Sequence, residues 1–387
     1  MIYKILVGNE HGGAATSSKA ILDNFLQNEN FKAVFLCQNR FSRLFNSKNV
    51  ENINSFEPPI ITSSNFFFKI LQGIKFLFWI IYTTFLLCLF IRKNKVKTIH
   101  TTNNHALLIC LLNKFIFKDL YIISHWRCVD LASSGQYKFL LKEINKIICI
   151  SRAVKESLPY HMQSKSVVIY NGVDVNEIHK ENLKNKAKLS VLLNLNESNI
   201  LLGTIGSYTS IKCHELIIEC FIENNVNDKI KVVLIGSCPN QESERYLKYL
   251  QQKVVQNNLE EQIYFLEDYK TYPPKHYISD LDLFIGATWN NGLGEGFGLI
   301  YVEAMSTEVP VLAINVGAAG EIIENNVNGF LIESNSSEEL FNKIQEIDFS
   351  TINIVKKNAF NTALTKFDIS RTMAEINKIY EECSINN

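Results

Sequence analysis

The chain has 387 residues, 47% of them apolar and 20% charged. That is long enough for two domains of ordinary size and too apolar for a disordered chain. The formal net charge of +0 hides a split: residues 1–174 carry 21 Lys+Arg against 10 Asp+Glu, the rest 18 against 29. The basic half suits an anionic membrane surface or a phosphorylated lipid, the alternative being drift in a Lys- and Asn-rich sequence; nucleic acid is not expected as a partner.

The first elements alternate between short β-branched runs and helix-length segments. The N-terminus opens on a strand pattern, Tyr3–Val7, and does not read as a signal peptide. It runs into Gly8-Asn9-Glu10-His11-Gly12-Gly13-Ala14-Ala15, whose small residues allow close approach of backbone to a phosphate or a sugar. It is not GxGxxG, so a nicotinamide cofactor is not indicated, and a plain strand-to-helix turn is the alternative. Further strands are expected at Ala33–Cys37, Val96–Thr101, Tyr121–Ser124, Lys146–Ser151 and Val167–Tyr170. Between them Phe66–Ile91 is apolar except for Lys69, Gln72, Lys75, Thr83 and Thr84, and it is followed by Arg92, Lys93, Lys95 and Lys97. Its densest part, Phe76–Ile91, is shorter than the roughly 20 residues that a spanning helix needs. A span would also part Tyr3–Val7 from the later strands, so a core helix or a helix lying at the membrane surface is expected. Ser124-His125-Trp126-Arg127 closes one strand; a His there polarises a hydroxyl, binds phosphate or serves the structure.

The chain then passes through Asn171-Gly172-Val173-Asp174, read as a tight turn, and the polar stretch 179–198, read as the linker. A second set of strands follows at Leu201–Ile205, Lys231–Ile235, Ile263–Leu266, Leu281–Ile285, Val309–Ile314 and Gly329–Ile332, and helices from Ser337 to Ile385. Near-continuous apolar strands alternating with helices predict parallel sheets covered on both faces, hence two doubly wound domains. The expected division is 1–178, linker 179–198, 199–366, and a C-terminal helix 367–387 packing back on the first domain.

Nine Cys, an odd number without a CxxC pair, point to a reducing compartment rather than a disulfide framework. Asp280-Leu281-Asp282 is assigned no metal, and there is no HxxxH pair, GxSxG turn or GxxxxGK[ST] loop. In the second half Gly206-Ser207 leads across a short loop to Lys212, a point charge suited to a diphosphate. Glycine-rich Gly294–Met305, GEGFGLIYVEAM, places Glu295 and Glu303 on either side of Phe297 and Gly298. One carboxylate before a Gly turn, amides at a helix start and a second carboxylate inside the helix suit sugar, phosphate and ribose in turn, that is, a nucleotide sugar.

Taken in order, these features resemble the family-4 retaining glycosyltransferases of GT-B fold. The residues that carry the resemblance are Gly12-Gly13, His125, Ser151, Asn171–Asp174, the loop ending at Lys212, Gly294–Met305 and the run Val309–Ile332. The resemblance implies two Rossmann-like domains facing across a cleft, and transfer of a sugar from a nucleotide diphosphate sugar to a glycan or glycolipid acceptor in cell-surface polysaccharide synthesis. It implies catalytic roles for His125, Glu295 and Lys212, and donor contacts from Gly12, Gly13, Ser207, Phe297, Gly298, Leu299 and Glu303. Metal-independent chemistry without a cofactor, a lipid-linked or oligosaccharide acceptor, and a cytoplasmic location, peripheral on the inner face of the membrane, complete the expectation. The chain departs from the pattern at Ser207, where the family carries a diphosphate-binding Arg (Arg127 and Lys19 are the substitutes considered), and at Cys213, where it carries Gly. A non-catalytic glycan binder and a GT-B nucleotide-sugar epimerase are the alternatives.

Overall fold

The computed structural model describes residues 2–6, 12–26, 31–37, 45, 48–58, 66–102, 104–128, 140–184, 189–267 and 274–385. The chain forms two compact units, Met1–Tyr170 with Thr372–Asn387, and Asn171–Arg371.

The first unit is built on β1 (Ile2–Leu6), β2 (Phe31–Cys37), β3 (Val50–Ser55), β4 (Thr98–Thr101), β5 (Tyr121–Trp126), β6 (Lys146–Cys149) and β7 (Ser166–Val168). All pairs are parallel, in the order β3-β2-β1-β4-β5-β6-β7. The second unit holds β8 (Ile200–Ile205), β9 (Ile230–Ile235), β10 (Ile263–Leu266), β11 (Leu283–Gly286), β12 (Val311–Ile314) and β13 (Gly329–Ile332), also all parallel, in the order β10-β9-β8-β11-β12-β13. These are two doubly wound Rossmann-like sheets, as the strand pattern predicts. The central strands are buried on both faces, which is why they read as apolar runs rather than alternations. β3, VENINS, is an edge strand of mixed polarity and the sequence pattern did not expose it.

Helix α1 (Gly12–Phe25) follows β1, α2 (Phe66–Asn94) follows β3, and α3 (Asn104–Lys114) follows β4. The expected surface or core helix is α2: Trp79, Thr83, Leu87 and Ile91, spaced by four, form its buried stripe. Trp79 Nε1 donates to the Phe56 carbonyl at 2.7 Å, and the hydroxyls of Thr83 and Ser55 meet at 2.6 Å.

The helix Ile369–Ile385 belongs, from Thr372 on, to the first unit. There Tyr380 packs against Phe25 and Phe31, and its hydroxyl lies 2.5 Å from Nδ1 of His100. His100 sits in register with Lys4 on β1, and both side chains are fully buried. In the second unit Val173 joins Asp368 through a parallel bridge, while Asp174 Oδ1 accepts from the Glu177 amide at 2.8 Å and so starts the helix Val175–Lys184.

Tyr380→Phe keeps the aromatic contacts but leaves a buried His100 nitrogen without that partner. A loss of about 1–3 kcal/mol is expected, read from urea unfolding of the whole chain.

Candidate functional site

In the second sheet the winding direction reverses between β8 and β11, and loops leaving the carboxyl ends of such strands diverge and open a crevice. From β8 the chain runs through Gly206, Ser207 and the buried Tyr208 into a single 3₁₀ turn, Ser210–Lys212. Tyr208 anchors this loop by donating to the Leu234 carbonyl at 2.7 Å. From β11 the chain runs through Thr288 and Trp289 to Gly294. The amide of Trp289 donates to the Ile211 carbonyl at 3.1 Å, tying the two loops together.

At this junction Lys212 and Glu295 meet: the Nζ pairs with Oε1, with the side chains 29% and 21% exposed. Thr288 Oγ1 donates to the same carboxylate oxygen at 2.9 Å. The stem of Lys212 lies over Gly206, 3.5 Å from where a Cβ there would stand. Ser207, half-buried, occupies the position at which the family's cation is expected. The Ser210–Ile211 stretch of the loop borders two cavities of about 490 and 500 Å³, both reaching Tyr246 and neither lined by Lys212 or Glu295.

The glycine loop is held by the turn after β12. Glu295 forms a parallel bridge with Gly317, and its carbonyl accepts from the Ala318 amide at 3.0 Å. Gly294 has φ 61°, and a Cβ on it would stand 2.6 Å from the Val316 carbonyl oxygen. Gly298, at φ 88° and ψ 54°, caps the helix Leu299–Met305, and a Cβ there would strike the Tyr301 ring at 2.6 Å. Both positions therefore require glycine. The first amides of that helix have no helical carbonyl behind them. Phe297 is buried edge-on against Phe367, with centroids 5.8 Å apart. Glu303 is half-buried on a helix whose other side chains, apart from Ile300, are buried.

Cys213 adopts the left-handed conformation, φ 48° and ψ 39°, directly after Lys212. Next to it His214 is fully buried, its ring nitrogens lack hydrogen-bond partners, and burial with the nearby Lys212 charge lowers its pKa to about 4.

The structure thus gathers Lys212, Ser207, Glu295, Phe297, Gly298, Leu299 and Glu303 within the second unit. His125, Gly12 and Gly13 belong to the first. Gly12 and Gly13 open α1, while residues 8–11 lie outside the described residues. His125 stands at the end of β5, 2% exposed, its ring 5.5 Å from that of His100 and nearly parallel to it. Its two nitrogens have no hydrogen-bond partner, and burial, reinforced by Arg127, His100 and Lys4, holds its pKa well below the usual value, so the ring is neutral. Lys19 pairs with Asp23 on α1. Ser151 Oγ accepts from the Val154 amide at 3.1 Å and caps a short helix. Asp280 and Asp282 serve backbone: one accepts from the Leu189 amide, the other from the Leu201 amide at 2.9 Å.

Sequence reasoning passed over Thr288 and Lys4. Lys4 did leave a trace, as the one charge inside the strand IYKIL. Thr288 left none, since a Thr beyond a strand is ordinary.

Residues 185–348 match the family model described as Glycosyl transferases group 1. That segment is similar to the group 1 glycosyltransferases. Two similar proteins are an uncharacterized glycosyltransferase, MJ1178, of Methanocaldococcus jannaschii and a UDP-Gal:alpha-D-GlcNAc-diphosphoundecaprenol alpha-1,3-galactosyltransferase of Escherichia coli. The first is 27% identical over 64% of this chain and 62% of its own; the second is 26% identical over 70% and 66%. The chain therefore spans just under two thirds of the length of these relatives. Among solved structures, Anabaena Alr3699/HepE in complex with UDP-glucose superposes with a TM-score of 0.76 over 99% of this chain and 100% of that one, at 19% identity. That likeness is one of fold, and the fold is GT-B.

Two tests of the second unit follow. Cys213→Gly relieves a left-handed L-residue and is expected to stabilise the domain by up to about 1 kcal/mol, seen as a raised unfolding midpoint. His214 has its pKa depressed in the folded state, so below pH 6.5 the unfolded chain binds the extra proton. Stability is expected to fall as pH drops from about 6.5 to about 4, by as much as about 3 kcal/mol for this one ring. His214→Phe should flatten that part of a pH–stability profile.

Proposed function

We propose that the protein transfers a sugar, with retention of anomeric configuration, from a nucleotide diphosphate sugar to a glycan or glycolipid acceptor in cell-surface polysaccharide synthesis. This is the family-4 type of reaction. The observation that carries the reading is the Lys212–Glu295–Thr288 cluster at the point of reversed winding, beside the Gly298-led helix.

In this reading the ion pair is the resting state of the donor site. An arriving diphosphate draws Lys212 to itself, and Glu295, released and still held by Thr288, accepts hydrogen bonds from sugar hydroxyls. The amides at Phe297, Gly298 and Leu299 face the sugar and phosphates, and Glu303 takes the ribose hydroxyls. Gly12 and Gly13 approach the phosphate, and the neutral, unpaired His125 ring serves the reacting sugar and acceptor. Charge developing on the leaving diphosphate is met by Lys212 and oriented amides, where a preorganised donor is worth roughly 10²–10³ in turnover. Such a site runs without a metal or an added cofactor. Ser207 leaves one cation fewer around the diphosphate than the family uses.

The galactosyltransferase relative's diphosphoundecaprenol acceptor, together with the basic first half, supports a lipid-linked acceptor and a peripheral position on the cytoplasmic face of the membrane.

Glu295→Ala and Lys212→Ala are each expected to lower kcat by roughly 100-fold or more. Glu303→Ala is expected chiefly to raise KM for the donor. Transfer assays, with the donor first found by thermal shift against a panel of nucleotide sugars, check this. Full turnover by Glu295→Ala would overturn its role, and epimerised product without acceptor would replace transferase by epimerase.

A further inference from the structure

Helix α2 presents to solvent a face that a protein core would ordinarily cover. Ile74, Leu77, Phe78, Ile81 and Phe85 are each 57–61% exposed. At about 100° per residue they fall within an arc of about 100°, opposite the buried stripe Trp79–Thr83–Leu87–Ile91. The patch extends beyond the helix. Phe56 stacks on Phe78 and Tyr82 with centroids 6.1 and 5.9 Å away, and all three rings are exposed. Phe115 and Ile116, just past α3, are 56% and 61% exposed, and Asn113 beside them donates to the Thr84 carbonyl of α2 at 3.2 Å. Exposed apolar patches on this scale mark a binding face.

Charge says what binds. The 29 residues of α2 contain no carboxylate. Arg92 continues the apolar arc at its end, and Lys75 and Lys93 stand on the same edge, far apart along the helix, all three exposed. Long cations bordering apolar and aromatic side chains are the pattern of a helix lying in a bilayer interface, its charged heads reaching anionic headgroups. A second protein surface would need an acidic, apolar counterpart of its own.

We infer that this face of the first unit lies in the plane of an anionic lipid bilayer, with α2 as a monotopic helix and Phe56, Phe115 and Ile116 as flanking anchors. A spanning arrangement conflicts with the fold. Trp79 and Thr83 are hydrogen-bonded to the β3 end, and four residues after α2 the chain enters β4, which is paired with β1 and β5. The inference gives the membrane contact proposed above its surface and rests on that reading only for its purpose, because binding is measured without turnover. Failure of either therefore leaves the other to be judged alone.

The test is co-sedimentation of the full chain with vesicles of phosphatidylcholine, alone or mixed equally with phosphatidylglycerol. Mixed vesicles should bind it at least roughly tenfold more tightly than neutral ones, and raising salt from roughly 0.1 to 0.5 M should remove most of that difference. I81E/F85E and R92E/K93E, both at exposed positions and checked for folding by circular dichroism, should each lower binding at least roughly tenfold. Bound protein should be released by alkaline carbonate. Four results overturn the inference: no binding to mixed vesicles, equal binding to neutral ones, resistance to carbonate, or a dimer in solution that I81E/F85E dissolves.

Discussion

The point at which a parallel sheet changes its winding direction governs the second unit. Parallel strands are joined only by crossovers, so each strand's outgoing loop turns towards the face on which its helix will lie. Where neighbours β8 and β11 send their chains opposite ways, the departing loops diverge from a shared junction. At that junction Lys212 comes from one loop and Glu295 from the other. With opposite charges so near, an empty site holds its own counter-ions in place. In the proposed reading, a ligand would offer both an anion for the lysine and donors for the carboxylate to displace one from the other, the combination that a molecule bearing phosphate and hydroxyls presents.

The rest of the loop exists to keep that carboxylate still. Glu295 has its backbone fastened to Gly317 and Ala318 and its side chain to Thr288. The glycines around it are at positions where a Cβ would meet Val316 or Tyr301. Tyr301, buried beneath the loop, has its pKa raised by burial and by the charge of Glu295, which keeps its hydroxyl protonated there.

The strands could be read from the sequence where burial on both faces made them continuous apolar runs, as in β5, β8 and β9. β3 escaped because one face of an edge strand tolerates Glu and Asn. The glycine-rich loop was legible because two carboxylates flank a run of small residues at a helix start, and Lys212 because it closes a short loop after an apolar strand. The partnership of Lys212 with Glu295, 83 positions apart, and the help of Thr288 come only from tertiary geometry. Two further features were out of reach. A helix apolar nearly all round does not disclose which side a sheet will cover, so α2 read equally as core or surface. Cys213 in place of glycine signals a departure, but the left-handed angle it must sustain is a property of the folded loop.

The contact between Tyr380 and His100 bridges 280 positions of sequence. Strands β1 and β4 are translated well before the aromatic ring that closes on His100. The second unit, made wholly in between, has all its own strands available first. All seven strands of the first sheet thus precede the second unit in the chain, while the ring that completes the packing around His100 comes after it.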